Sequence, residues 1–220
     1  ILIFANKSIG AIMRRILCHG SPILPRLFRA MKTACRQRIR LTRFGWDLKG
    51  YDMRLQISLS HDAAVKMILV AIDAARAENM LPLTVVVLDA AGKIVASQSE
   101  DGSGLMRFDI ARGKAWGALG IGMSSRLIRD RLASRPSFQA ALATVADGKF
   151  VPVPGGVLVM AKDGTVIGAV GVSGDTSEKD EYCAITGIMA AGFQSEPETP
   201  DDNWRDSSLS GAPEVGRAQV

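Results

Sequence analysis

Groups suited to metal or disulfide chemistry are scarce in this chain. Its 220 residues hold three cysteines, Cys18, Cys35 and Cys183, far apart in sequence, and two histidines, His19 and His61. An odd number of scattered thiols excludes a disulfide framework. Without a Cys-x-x-Cys or Cys/His pair at zinc spacing, no structural metal is expected. That usage fits a reducing compartment, so the cytoplasm is the expected location. Long apolar runs are also missing. The longest largely apolar stretch, Cys183 to Phe193, is eleven residues, against the ~18–20 that a bilayer span requires, so no membrane span is expected.

Acids are nearly absent from the first fifty residues, which carry eleven Lys/Arg and only Asp47. The remaining 170 hold sixteen basic and twenty-one acidic residues, so the net charge of +5 belongs to the extension and the body is mildly acidic. Nucleic-acid binding by the body is therefore not expected. Three readings of residues 1–52 compete. Charges interrupt every apolar stretch, which makes a secretory signal poor, whereas the Arg-rich, acid-poor composition matches a transit-type presequence despite little serine. The simplest expectation is sequence upstream of a true start at Met53. Export or organelle targeting by this basic segment stays open beside it.

What is there is a body rich in small and branched apolar residues, with 47% hydrophobic content over the whole chain but only 5% aromatics. The patterning predicts a short strand at Arg54 to Ser58. A helix capped by Ser58 or Ser60 then runs to about Asn79, with Val65, Ile68, Leu69, Ile72 and Ala75 on one face. "LTVVVLD", Leu83 to Asp89, and Ile94 to Gln98 read as a hairpin around Gly92. Helices are predicted over Met106 to Leu119, Ser124 to Ala133 and Pro136 to Val145. Strands follow at Phe150 to Val153, Val157 to Ala161 and Thr165 to Val172, and a closing helix at Ser177 to Phe193. From residue 194 to 220 the chain is rich in Pro, Ser and acids and reads as a disordered tail. Hairpins on either side of a helical insertion define an α+β domain at 53–193, with a central antiparallel sheet of about five strands and helices packed on it.

The segment Val166 to Ala184, "VIGAVGVSGDTSEKDEYCA", invites a nucleotide reading. A dinucleotide site needs Gly-x-Gly-x-x-Gly in the turn between a strand and a helix, whereas here the spacing is Gly168-x-x-Gly171-x-x-Gly174. No Gly-Lys-Ser/Thr follows, so neither NAD nor another nucleotide is expected. Glycine inside a strand suits close approach by a helix, a neighbouring subunit or a flat ligand, which makes Gly171 and Gly174 candidate ligand-lining residues. Ser177-x-x-Asp180 has nearly the spacing of a capping box, so Asp180 reads as a cap or as an acid/base group. In "FVPVPGGVLV", Gly155 and Gly156 form a turn or expose amides to an anion. Lys114 sits in a largely small and apolar helix, where it either snorkels to solvent or binds a carboxylate. His61, the one histidine of the body, falls in a first helical turn, where the dipole favours neutral imidazole; it is a surface residue or a ligand.

Four stretches together resemble the GlcG/HbpS family, which includes the C-terminal domain of PduO-type proteins. They are "TVVVLDAAGKIVASQSEDG", "DIARGKAWGALGIG", "FVPVPGGVLVMAKDGTVIGAVGVSG" and "SEKDEYCA", spread over 53–193. The resemblance implies a profilin-like or PAS-like fold and a homo-oligomer, an octamer in many members. It implies haem binding in some members and operons for glycolate or propanediol use in others. On that basis the expected function is a small-ligand-binding homo-oligomer, with haem or a related tetrapyrrole as ligand and His61 as the iron's axial ligand. The alternative is an enzyme or accessory protein of small hydroxy or oxo acid metabolism, of glycolate or diol type. In it Lys114 anchors a carboxylate, Gly155 and Gly156 supply amides, and Asp180 is the acid or base. An assembly module without ligand chemistry is the third class. Two departures from the family pattern, Arg107 in place of a small Ser and Gly117 in place of Thr, bear on the shape of any pocket around that helix.

Overall fold

The computed structural model describes residues 57–209. The chain divides into Ile1–Leu55 and Gln56–Val220, and the described residues belong to the second unit. The basic extension 1–52 lies outside them, as do residues 54–56 of the expected opening strand; Ile57 and Ser58 are in no strand.

Helix α1 (His61–Ala77) starts where Ser60 accepts a hydrogen bond from the Ala63 amide at 3.3 Å, satisfying one of the helix's orphan donors. Strands β1 (Thr84–Asp89) and β2 (Ile94–Ser99) form the expected hairpin. Helices α2 (Arg107–Ile121), α3 (Ser125–Leu132) and α4 (Pro136–Val145) form the insertion. Strands β3 (Gly156–Met160) and β4 (Val166–Ser173), helix α5 (Ser177–Ala190) and a short strand β5 (Gln194–Glu196) complete the domain. The sheet is wholly antiparallel, in the order β2-β1-β4-β3-β5. The expected α+β class with one five-stranded antiparallel sheet is the fold observed.

Alternation along the central strands divides the core in two. Val85, Val87, Val157, Val159, Val170 and Val172 face α1 and α5. Val86, Leu88, Leu158 and Ala169 face Ala111, Ala115 and Ala118 of α2. The side of α1 that is buried is turned slightly from the expected one. Ala64, Met67, Ile68, Ala71 and Ala75 face inward and Leu69 is exposed, because Gly187 lets α5 lie so close that small residues are needed at the crossing.

Three expectations are corrected. Phe150 to Val153 forms no strand; Pro152 and Pro154 lack ladder donors, and the segment packs on α2 instead. There, a Cβ on Gly113 would lie 2.7 Å from Val151, and one on Gly117 would lie 3.1 Å from the Phe150 ring. The cap of α5 is Thr176, whose hydroxyl accepts from the Lys179 amide, rather than Ser177. Residues 194–209 are not a disordered tail. β5 pairs with β3, and Trp204 stacks on Tyr182 with ring centroids 3.8 Å apart. Composition pointed to disorder because apolar residues are few there, yet one indole and one edge strand suffice to anchor the segment. Residues 210–220 lie outside the described residues.

Gly171 shows why β4 carries glycines. A Cβ there would overlap the carbonyl oxygen of Ala111 on α2, so the bare backbone sets the distance between sheet and helix. Gly171→Ala should lower stability by roughly 3 kcal/mol; chemical denaturation followed by circular dichroism checks this, and an unchanged midpoint would refute it.

Candidate functional site

Two residues that the enzyme alternative assigns to one site, Lys114 and Asp180, are brought together, but bonded to each other. Lys114 projects from α2 and Asp180 from the first turns of α5, on opposite sides of the sheet. They meet where β3 begins and β4 ends, with Nζ 2.7 Å from Oδ2, at side-chain exposures of 2% and 1%. Asp180 Oδ1 also accepts the Asp175 amide at 3.2 Å. Burial pushes the Asp180 carboxyl up to about 6, with Lys114 as the main opposing influence. Lys114 therefore neither snorkels nor waits for a substrate. Its carboxylate partner is internal.

Gly155 and Gly156 border the pair. Gly155 has φ +110°, and a Cβ on it would press on Lys114 Nζ, on Asp180 and on the Val172 carbonyl, so a side chain here is excluded by conformation and by space. The Gly156 amide donates to Ser125 Oγ at 2.7 Å, and that hydroxyl also donates to the Gly156 carbonyl at 3.2 Å. The amide considered for an oxyanion is thus already used. Gly171 lies against α2 and Gly174 against Pro82 and Leu83, so both glycines serve close packing within the chain.

Further charged groups surround this end of the sheet. Glu181, next to Asp180, is fully buried. Its Oε2 lies 3.3 Å from Arg126 Nε, yet neither carboxylate oxygen has a hydrogen-bond partner among the described residues. Burial raises its pKa to about 7, against the pull of Arg126 and Arg129. Asp175 accepts from the Leu81 and Thr176 amides and pairs with Lys179 at 3.6 Å. Ser125, Glu181 and Arg126 escaped the sequence reading. The adjacent acids at 180–181, followed by apolar residues, were the available clue. Cys183 is buried, its hydrogen directed to the Met80 sulfur at 3.5 Å, and burial raises its pKa, which leaves it unreactive.

His61 stands apart from this cluster. Leu59 packs near Gly168, and Ser58 accepts the Ala90 amide at 3.0 Å, which puts the start of α1 beside the last residues of β1. Gly168 is paired with Asp89 there, while Ser173 is paired with Thr84 at the other end. Five residues of strand separate those ends, or ~17 Å. The His61 side chain is 71% exposed, with Nδ1 3.8 Å from the Asp62 carboxylate. Val65 and Leu69 follow it at helical spacing, partly and largely exposed, and Ile57 is exposed just before it. Such a site fits a haem in two respects, an accessible imidazole for the iron and apolar surface beside it for the ring. Among the described residues no group of three or more His, Cys, Asp or Glu side chains could hold a metal ion, and no helix is long and apolar enough to cross a membrane.

A single antiparallel sheet between helical layers, with a buried lysine–carboxylate bridge at one end and an open histidine at the other, defines an α+β protein of the kind that the sequence resemblance implied. Residues 59–189 match the family described as haem degrading protein HbpS-like, and the chain belongs to that family. It is similar to an uncharacterised 15.0 kDa protein from the dhaT-dhaS intergenic region of Citrobacter freundii, at 31% identity over 60% of this chain and 92% of that one. Among solved structures it resembles a PduOC:heme complex at 26% identity, with a TM-score of 0.57 over 64% of this chain and 99% of the other. It also resembles a double mutant of HbpS from Streptomyces reticuli, at 28% identity and a TM-score of 0.54, covering 65% and 93% of the two chains.

The bridge and its neighbour yield two expectations. Lys114→Ala leaves a buried carboxylate unpaired and should cost about 3–5 kcal/mol, whereas Lys114→Met with Asp180→Asn should regain more than half of it; equal losses in urea denaturation would show that the pair is not the cause. Glu181 has a folded pKa above its unfolded value of 4.5. Its favourable contribution is complete below about pH 4.5 and is lost as pH rises through about 7. Melting temperature should thus fall from pH 5 to pH 8 in the wild type, by less in Glu181→Gln. Parallel profiles would refute the assignment.

Proposed function

We propose that this chain is a small-ligand-binding, homo-oligomeric protein whose ligand is haem or a related tetrapyrrole, with His61 as the axial ligand of the iron. The observation that carries the reading is the exposed imidazole of His61 at the start of α1 with Ile57, Val65 and Leu69 beside it. The family description and the similarity to a haem-bound structure support it. His61 supplies a nitrogen that no described residue occupies, and the apolar side chains exclude water from one face of the ring. Bound haem supplies an iron centre able to take part in redox and oxygen chemistry. Self-association is supported by the exposed Leu105, Met106 and Val145 side chains, whose burial would favour a second copy.

The enzyme alternative is the weaker one in geometric terms. Lys114 already holds Asp180, both are inaccessible, and the Gly156 amide is bonded to Ser125. Titration of haem into the full chain should give a Soret shift and a saturable complex, weakened about tenfold or more by His61→Ala. Identical spectra and affinities for the two proteins would defeat His61 as ligand, and absence of any saturable complex would defeat the haem reading itself.

A further inference from the structure

At the end of the sheet remote from His61, a cation lies with no carboxylate in ion-pair contact among the described residues; Asp180, close enough to feel its charge, is already held by Lys114. Arg107, the first residue of α2, is partly buried, and among the described residues the one hydrogen bond of its guanidinium is the 3.3 Å contact from Nη1 to Ser173 Oγ. No carboxylate among the described residues pairs with it, whereas Lys114 and Arg76 nearby are matched by Asp180 and Glu100. Guanidinium carries five donors in a planar fork, so most of this binding capacity is unused by the described residues.

The floor beneath Arg107 is a row of hydroxyls. Register pairs Thr84 with Ser99 on one side and with Ser173 on the other. Thr84 Oγ1 is 2.9 Å from Ser99 Oγ and 2.8 Å from Ser103 Oγ. Thr84 and Ser173 are buried, Ser103 is half-buried and Ser99 is exposed, so the row opens from the core towards solvent. Hydroxyls rotate, and each can donate or accept.

We infer that Arg107 and the hydroxyl row of Thr84, Ser99, Ser103 and Ser173 form a binding site for a small carboxylate whose neighbouring hydroxy or oxo oxygen rests on the row. The guanidinium takes the carboxylate in two parallel hydrogen bonds. Serine and threonine hydroxyls recognise the second oxygen without fixing whether it donates or accepts. The internal bridge keeps Lys114 from competing, since its charge is already matched. This site is independent of the haem reading, being on the other face and at the other end of the sheet from His61.

The test is calorimetric titration of the full chain with lactate, acetate and inorganic phosphate. Lactate is expected to bind, acetate about tenfold more weakly for want of the second oxygen, and phosphate more weakly than lactate. Arg107→Met should weaken lactate by about tenfold or more with little change in melting temperature, and Arg107→Lys, which keeps the charge but not the fork, by several-fold. Ser103→Ala should narrow the difference between lactate and acetate, while His61→Ala should leave all three titrations unchanged. Absence of lactate binding up to about 10 mM, or binding indifferent to both Arg107 variants, overturns the proposal. Tighter binding of phosphate than of lactate assigns the site to an inorganic oxyanion and overturns the carboxylate assignment.

Discussion

The bridge between Lys114 and Asp180 is the constraint around which the domain is arranged. Two charges at 1–2% exposure, 2.7 Å apart, are stable only as a pair, because each alone would bear a desolvation cost of several kcal/mol. One comes from the helix on one face of the sheet and the other from a helix on the opposite face. Every element between them must therefore be thin or absent where they meet. That requirement is met by Gly155, whose φ of +110° and missing side chain clear the path, and by the chain reversal from β4 through Asp175 into α5.

The same economy of side chains runs along the central strands. Bare backbone at Gly171 and Gly156 lets the carbonyls of Ala111 and Lys114 approach the sheet, which draws α2 in far enough for Lys114 to reach past the strand ends. Ser125 then closes the gap by bonding both backbone groups of Gly156. Close approach thus replaces large core residues in a protein with few aromatics, and the charged pair is one consequence of it. Arg107, two turns ahead of Lys114 on the same helix, stands over the hydroxyls of Thr84 and Ser173 for the same reason, since α2 lies low on the sheet along its first half.

Functional groups are consequently divided between two regions. His61 begins a helix on one face and is open to solvent. The opposite end is polar, glycine-lined and largely internal. Its charges serve the fold first, and the guanidinium of Arg107 is the cation there that the fold leaves unmatched among the described residues.

Much of this was legible from residue types. The β-branched content of "LTVVVLD", turn glycines and a serine cap at 58 or 60 are local features, so these strand and helix positions followed from them without knowledge of neighbours. The α+β class followed from element order. Lys114, Asp180, Gly155 and Gly156 were each recognised as unusual in their setting and were grouped in the enzyme alternative, but as groups acting on a substrate and not as a bridge packed against two glycines. Their union, like the anchoring of 194–209 through Trp204 and the satisfied amide of Gly156, joins positions tens of residues apart. Spacing along a chain does not encode which side chains meet across a sheet. Sequence by itself determined most of the elements and the residues unsuited to their surroundings; tertiary structure alone decided the edge strand β5 and which of those residues neutralise one another, because burial and pairing are properties of distance in space.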